Sequence, residues 1–426
     1  MEARRTLFAV TVALFGIAAL VVPPAYADEA KPEGGAAENA AVEKAPEPLP
    51  TAGYDKGLFL RSSDGKFELK LKLRVHALYA FASKDEGEGE DRAEEMNFSA
   101  SVARLTMGGK AFCPALEYMF EADFGKGFVK LLAAYADYAI VPKTLHLRAG
   151  MWKRPFARQF ILSSGKNEMV ERSFVNGYFG EGYDIGLALH NNYTKSPPFE
   201  WAVGVFNGDY KNKYPGDKSW FSGSGTLDPD TGAVTIGSGS FSNVPKKFHP
   251  ALVARAGINL GGIDGYSEAD LEGGGFRLAL AANVLADLDY DDDNLSGVRA
   301  GIDFLMKMEG LSLSGAVFAA TGQKAPETGS DTGFLDQEYR AVGFYLQTGY
   351  LISGKIQPVV RYSLASPKGQ KSAQEVSAGL SLYLEKHNFK WQLLGGALIN
   401  QAALTGRSTG DDRVDYRVLT HIVFSL

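Results

Sequence analysis

Residues 66–81, KFELKLKLRVHALYAF, alternate apolar and mostly basic side chains. The basic positions include Lys66, Lys70, Lys72 and Arg74, all even-numbered, whereas the odd-numbered positions are apolar. In an extended strand successive side chains point to opposite faces, so these four cations form a column on one face. Ammonium and guanidinium groups bind anions through charge-assisted hydrogen bonds. The pattern therefore predicts a strand with one apolar face and one face that attracts anions.

The same period of two residues recurs along the chain and predicts about sixteen strands. Stretches such as 116–124 and 298–308 carry hydrophobes at every second position over a length that exceeds the usual globular strand. The predicted strands start near residues 66, 97, 115, 128, 144, 183, 199, 251, 275, 297, 311, 338, 355, 373, 389 and 413.

The predicted connections between these strands alternate between short and long. Short links include CPA at 113–115 and VPK at 141–143. The long, polar links fall at 83–96, 207–249, 286–296, 321–337, 365–372 and 402–412. One link, GGIDGYSEADLEGG within residues 260–274, is long at the end where the others are short. The alternation gives the predicted sheet one end with tight turns and one end with extended loops.

These features together predict an all-β fold, a transmembrane antiparallel β-barrel of about sixteen strands. Such barrels have lipid-facing hydrophobes, a polar interior, short turns at the periplasmic end and long outer loops. A closed barrel also pairs every backbone polar group within the membrane. A soluble β-sandwich alternates in the same way, but its apolar face needs a second layer to cover it. The length of the alternation and the loop asymmetry favour the barrel, whose size leaves room for a water-filled channel.

The first residues predict export from the cytoplasm. Arg4 and Arg5 precede a short apolar stretch, and Ala25-Tyr26-Ala27 forms a cleavage signal, so residues 1–27 read as a signal peptide. Residues 28–53 are rich in Ala, Pro, Glu and Gly and predict a disordered periplasmic linker. The barrel domain would then span residues 54–426 and lie in the bacterial outer membrane.

Bulk composition excludes several other classes of protein. The formal net charge of −6 argues against nucleic acid as a partner. The single cysteine, Cys113, excludes an intrachain disulfide framework. No spacing of His, Cys, Asp or Glu predicts a metal site or a catalytic centre, and no cofactor is expected.

The link between the fifth and sixth predicted strands stands out among the loops. Residues 153–182, KRPFARQFILSSGKNEMVERSFVNGYFGEG, mix cations with hydrophobes such as Phe156, Phe160 and Phe174. This loop is too apolar for a free surface loop. We expect it to fold inward as the third outer loop, to anchor its hydrophobes on the inner wall and to present its charges to the lumen.

Several stretches resemble the phosphate-selective porins O and P of bacterial outer membranes. They are GYDKGLFLRSSDGKFELKL (53–71), ARLTMGGKAF (103–112), LHLRAGMWKRPFARQF (145–160), ERSFVNG (171–177) and WAVGVFNGD (201–209). The resemblance spans nearly the whole chain after residue 53. It implies a sixteen-stranded barrel, a homotrimer, and a third outer loop folded into the lumen.

The resemblance also implies which residues contact an anion. Ser163, Ser164, Lys166 and Arg172 match the loop residues that hold an anion at the constriction of the family, and Arg154 and Arg104 are further candidates. The family commonly has an arginine pair before its ARL motif. Ser101 and Val102 stand at those positions here, which leaves Arg104 alone and puts high-affinity phosphate selectivity in doubt.

The predicted function is passive, anion-preferring diffusion of small solutes such as phosphate or polyphosphate, without enzymatic activity. Its partners would be small anions, the lipid bilayer with its lipopolysaccharide, and two further copies of the chain. A non-selective or cation-preferring general porin is the first alternative, because Glu117, Glu121 and Asp123 are also expected to face the lumen. A barrel adhesin that uses residues 207–249, or a barrel enzyme, is a more distant alternative.

Overall fold

A computed structural model describes residues 51–87, 89–125, 129–180, 182–208, 225–227, 234–236, 250–289, 294–322, 339–401 and 412–426. The predicted signal peptide, nearly all of the predicted linker and most of the loop 207–249 lie outside the described residues. These three assignments remain predictions.

Twenty strands occur in the described residues, and sixteen of them are the long strands that the sequence predicts. Each begins within four residues of its predicted start. The strands are β1 Ala52–Tyr54, β2 Leu58–Arg61, β3 Glu68–Lys84, β4 Ala93–Ala111, β5 Cys113–Asp123, β6 Lys130–Val141, β7 Leu145–Lys153, β8 Tyr183–His190, β9 Phe199–Phe206, β10 Gly225–Leu227, β11 Val234–Ile236, β12 Ala251–Leu260, β13 Arg277–Asp289, β14 Asn294–Met308, β15 Leu311–Gly322, β16 Tyr339–Tyr350, β17 Ile356–Pro367, β18 Ala373–Glu385, β19 Phe389–Ile399 and β20 Val414–Ser425. Strands β3–β9 and β12–β20 build the barrel.

The barrel closes without an open edge. Each barrel strand pairs antiparallel with its chain neighbours, β9 pairs with β12, and β20 pairs with β3. The short β1–β2 hairpin continues the sheet beside residues 68–71 of β3, below the part of β3 that β20 reaches. The predicted sixteen-stranded antiparallel barrel is confirmed.

Side chains alternate between two faces on these strands, as β17 illustrates. Ile356 and Val360 are exposed, whereas Gln357, Arg361 and Ser363 between and after them are at most 2% exposed. The exposed face is apolar and the covered face is polar, which is the reverse of a soluble sheet. This is the arrangement that a barrel in lipid requires.

The alternation changes phase once on β4. His76 of β3 lies opposite Val102, and Ala77 lies opposite Ala100, so Ser101 is an extra residue that forms a β-bulge. A bulge shifts every later side chain of its strand to the other face. Arg104 therefore lies on the covered face, directly opposite Arg74, and the parity change in FSASVARLTM is explained.

Two short α-helices occur in the connection between β7 and β8, namely α1 Arg158–Ile161 and α2 Phe174–Phe179, and a 3-10 turn, Ser164–Lys166, lies between them. Among the described segments, none of the helices has the length and apolar character that a membrane crossing requires.

Two predicted loops are shorter than expected. The link predicted at 286–296 is largely strand, because β13 runs to Asp289 and β14 begins at Asn294, and the link predicted at 365–372 is strand as far as Pro367, where β17 ends. Hairpin pairing satisfies the backbone of these polar stretches beyond the apolar band, so a polar composition did not mean a loop.

Leu346 provides a test of the exposed face. It lies in the middle of β16 and is 47% exposed. Leu346→Arg should lower the free energy of unfolding by about 2–4 kcal/mol, because a guanidinium near the bilayer midplane loses its hydration. Urea titration of the protein in lipid vesicles measures this loss. The control Leu346→Met should cost less than about 1.5 kcal/mol, and an arginine variant as stable as that control would show that this face does not meet hydrocarbon.

Candidate functional site

The connection between β7 and β8, residues 154–182, packs against the polar face of the barrel and is called here the β7–β8 segment. Its apolar anchors Phe156 and Phe179 are fully buried. Both rings pack on Phe318 of β15, with ring centroids 5.9 and 5.5 Å apart. Phe206 and Tyr345 belong to the same apolar cluster. The hydrophobes of this segment therefore fix it to strands on both sides of β12.

A buried charge network fixes the same segment. The Arg158 guanidinium donates to Asp303 Oδ1 at 2.8 Å, and its backbone N–H donates to Asp303 Oδ2 at 3.1 Å. Arg255 donates to Asp303 Oδ2 at 2.7 Å and to Glu200 Oε1 at 3.0 Å. All four side chains are at most 3% exposed. Two cations thus balance two carboxylates, which is the condition under which buried charges are tolerated.

The long connection between β12 and β13, residues 261–276, meets the β7–β8 segment and is called here the β12–β13 segment. Glu268 Oε1 accepts from Gln159 at 2.7 Å, and Glu268 Oε2 accepts from the Glu168 backbone N–H at 2.8 Å. The Glu268 N–H donates to the Lys166 carbonyl at 3.2 Å. Successive connections of an up-and-down barrel alternate between its ends, so these two connections start at opposite ends and still touch.

Glu168 is the most enclosed carboxyl of this junction. It is 1% exposed and accepts hydrogen bonds from Gln347, Gln357 and Ser312. Burial, and then the neighbouring Glu268 carboxylate, raise the pKa of Glu168 to about 7. The two carboxyls share one donor, because Gln347 Nε2 also lies 3.2 Å from Glu268 Oε2. The junction is therefore most favourable when one of the two carboxyls carries a proton.

The junction should depend on pH around neutrality. The pKa of Glu168 is raised above its ordinary value of 4.5, so its stabilising contribution is complete below about pH 4.5 and is lost as the pH rises through about 7. We expect single-channel current noise to increase between pH 6 and pH 8 as the two segments loosen. Glu168→Gln, which mimics the protonated carboxyl, should remove this dependence.

The matched control for that prediction is Glu171→Gln on the same segment. Glu171 is half exposed and pairs with Arg417 at 2.7 Å, away from Glu268. This variant should keep the pH dependence of the wild type. Equal pH dependence in the Glu168→Gln variant would mean that another group titrates.

Two of the predicted loop residues, Lys166 and Arg172, bind other groups of the protein. Lys166 Nζ lies 2.9 Å from Asp264 Oδ2, and both side chains are about 40% exposed. Burial opposes ionisation of Asp264, but the Lys166 ammonium outweighs it and holds the pKa of Asp264 below its ordinary value. Arg172 donates to the carbonyl oxygens of Gln159 and Leu162 at 2.6 and 3.0 Å, so it also braces the segment.

The predicted serines lie where the β7–β8 segment meets β3. The Ser163 hydroxyl accepts from Arg74 Nη1 at 2.5 Å, and Arg74 Nε donates to Ser425 at 3.2 Å. The Ser164 hydroxyl is buried without a hydrogen-bond partner. The segment therefore brings Ser163 to the basic column that the sequence predicts on β3.

The other two arginines predicted to contact an anion, Arg104 and Arg154, form ion pairs with carboxylates. Arg104 lies 3.0 Å from Asp123 and 3.3 Å from Glu121. Arg154 lies 3.8 Å from Asp184 and is buried. Their charges are compensated locally, so neither adds a net positive charge to the wall.

The basic column is three residues long rather than four. Lys66 lies in the turn before β3 and is exposed there. Lys70 pairs with Asp55 at 3.0 Å, and Lys72 follows on the same face as an exposed residue. Among the described residues, Arg74 binds two hydroxyls and no carboxylate. Lys72 and Arg74 are thus the cations of this column that form no ion pair with a carboxylate in the part of the chain that is described.

Residue patterns did not identify the partners that hold these segments. Asp303, Arg255 and Glu200 lie on three different strands, and Glu268 lies in the link that breaks the short-turn rule. The one sequence feature that pointed to them was the link within residues 260–274, which is long and acidic at the end of the barrel where tight turns are expected.

The profile of the family Porin_O_P, described as Phosphate-selective porin O and P, matches residues 69–246. No curated protein matches the chain. The outer membrane channel DcaP of Acinetobacter baumannii is a structural neighbour with a TM-score of 0.54 and 14% identity, covering 86% of this chain and 99% of that chain. The anion-selective porin from Comamonas acidovorans has a TM-score of 0.49 and 12% identity over 84% of this chain and 99% of that chain. The predicted family resemblance is confirmed, and at these identities the structural likeness shows the fold alone.

Proposed function

We propose that this chain, whose residues 69–246 match the phosphate-selective porins O and P, is an outer-membrane channel that prefers small anions of the phosphate class. The match and the closed barrel support a channel rather than an enzyme. The preference for anions rests on the charges of the described wall, and the homotrimer implied by the resemblance remains a prediction.

We infer first that both long segments fold into the lumen. Their contacts are with side chains of the polar, covered face, and they reach one another from opposite ends of the barrel. The inner face of β17 and β18 is fully covered, since the side chains of Arg361 and Glu375 are 0% exposed. On β3 and β5, by contrast, the side chains of Lys70 and Glu121 are 24% and 18% exposed. A water-filled path along β3–β5 fits this difference.

The balance of charge along this path carries the proposal. Three acids of this wall pair with two arginines: Glu68 pairs with Arg61 at 2.5 Å, and Glu121 and Asp123 share Arg104. Glu117 of β5 lies closer to the end with the short turns and is exposed there. Lys72 and Arg74 have no such compensation among the described residues. A narrow path beside uncompensated cations has a positive potential, which concentrates anions in it.

An anion would pass through the channel by exchanging water molecules of its hydration shell for hydrogen-bond donors that are fixed on the protein. An anion that enters the path would lose part of its water shell and gain the ammonium of Lys72 and the guanidinium of Arg74. The Ser163 hydroxyl, which accepts from Arg74, can donate its own hydrogen at the same level. Several weak contacts suit conduction, because an anion must also leave. No covalent step or energy input is required.

Block of chloride current by phosphate tests this proposal. Millimolar phosphate should reduce the single-channel chloride current of the wild type, because a multivalent anion dwells longer at the cations. Lys166→Ala should weaken the block, and Asp264→Asn, which releases Lys166 from its carboxylate, should strengthen it severalfold. The effects are modest because the pair is half exposed.

The control for this experiment is Asp412→Asn, which breaks the exposed pair with Lys371 at the outer rim. It should leave the block unchanged. No reduction of chloride current by phosphate in the wild type would refute phosphate binding, and a cation-selective channel would support the general porin instead.

A further inference from the structure

The outward face of the barrel carries a cleft across β14–β17, near the end with the long loops. Its volume is about 530 Å³, and Ala300, Ala319, Val342 and Ser366 line its floor. Arg340 and Lys368 line its upper end. The floor belongs to the face that is exposed and apolar elsewhere on these strands, as Val342 (56% exposed) illustrates. The cleft is therefore separate from the lumen and from the proposed path for solutes.

Strand register explains why a cleft forms at this place. Ala300 lies opposite Ala319, and Val342 lies opposite Ser366, so one row across the four strands has mostly small side chains. The next row toward the membrane centre holds the bulkier Ile302, Val317, Phe344 and Leu364. The step between the two rows is the lower wall of the cleft.

The upper wall is basic. Thr321 lies opposite Arg340, and the Lys368 N–H donates to the Arg340 carbonyl at 2.7 Å, so the two cationic residues are neighbours on adjacent strands. Both are exposed. The cleft thus offers an apolar floor with two cations and one hydroxyl residue along a single edge.

The middle of the strands sets the level of this edge in a membrane. Leu346 lies at the middle of β16, and Tyr362 of β17 lies directly opposite it. The apolar band of a membrane barrel is about 25 Å tall, so it extends about 12 Å to either side of its middle. Arg340 lies six residues above Leu346, which is about 15 Å along the membrane normal for a tilted strand. The two cations therefore lie at the level of lipid headgroups.

We propose that this cleft binds a phosphorylated lipid of the outer leaflet, the chemical class of lipopolysaccharide, with an acyl chain on the alanine floor and a phosphate on Arg340 and Lys368. Guanidinium and ammonium groups side by side suit a phosphate monoester, and their aliphatic stems extend over apolar surface. Charge complementarity selects this occupant over a second copy of the chain. The inference rests on the proposed outer-membrane location and adds a lipid site to it.

Native mass spectrometry of the full-length protein in detergent tests the proposal. The probes are bisphosphorylated lipid A, the same lipid without phosphates, and inorganic phosphate alone. The wild type should retain lipid A and bind the dephosphorylated lipid at least about tenfold more weakly, and phosphate alone should not be retained. Arg340→Gln combined with Lys368→Gln should reduce lipid A binding at least about tenfold, and Ala319→Phe, which fills the floor, should do the same.

The control variant combines Lys355→Gln and Lys386→Gln, two exposed turn lysines at the other end of the barrel. It should bind lipid A like the wild type. Equal binding by all variants would overturn the proposal, as would conversion of an oligomer to monomers by the Arg340 and Lys368 changes, which would identify a subunit contact. Single-channel conductance, measured in parallel, should be normal in every variant, so failure of the lipid site is distinguishable from failure of the channel.

Discussion

Replacement of Lys72 and Arg74 by glutamate is expected to reverse the ion preference of the channel. The double change turns two cations of the path that lack an ion pair into two anions, whereas Glu121 and Asp123 still share Arg104. Under a tenfold salt gradient the reversal potential should change sign, by an amount on the order of tens of millivolts. Folding should be retained, because these side chains lie outside the buried network around Asp303.

The matched control reverses the exposed turn lysines Lys143 and Lys386 instead. It has the same change in net charge, but the charges lie at the barrel end and are screened within about 8–10 Å. The reversal potential should then stay within a few millivolts of the wild type. An equal shift in the control and in the Lys72/Arg74 variant would mean that total charge, rather than this column, sets the selectivity.

Asp303→Ala is expected to have the largest effect on stability. Asp303 accepts hydrogen bonds from both Arg158 and Arg255, so its removal leaves two buried guanidinium groups with Glu200 alone. Loss of one partner from a buried ionic network costs about 3–5 kcal/mol. The β7–β8 segment should detach from the wall, and conductance should rise severalfold with more current noise.

Urea unfolding and single-channel recording together check this result. Asp412→Ala removes an acid from an exposed pair with Lys371 and should cost less than about 1 kcal/mol, without a change in conductance. If Asp303→Ala loses little stability and keeps the conductance of the wild type, the charge network does not hold the segment.

The barrel was predictable because its signal is local. A period of two residues reports which face of a strand is apolar, and it does so within a few residues of sequence. Even the bulge at Ser101 left a trace, since the alternation in FSASVARLTM changes phase there. The local pattern did not predict how far the hairpins extend through polar residues such as Asp287–Asp289, where backbone pairing continues beyond the apolar band.

The interior was less predictable because it depends on contacts between distant residues. Arg158 and Asp303 are 145 residues apart, and the two segments meet through Glu168 and Glu268, 100 residues apart. Side-chain type alone suggested that Lys166 and Arg172 present charge to solutes. The structure adds that Lys166 shares its charge with Asp264 and that Arg172 braces loop carbonyls. The cations of β3 therefore carry more of the proposed selectivity than those of the loop.

The reversal potential of the wild-type channel in a planar bilayer under a gradient of potassium chloride measures directly whether the channel prefers anions. We expect a potential with the polarity of a chloride-preferring channel at low salt, declining toward zero preference as the salt concentration rises and screens Lys72 and Arg74. A potential with the polarity of a potassium-preferring channel at low salt would contradict it.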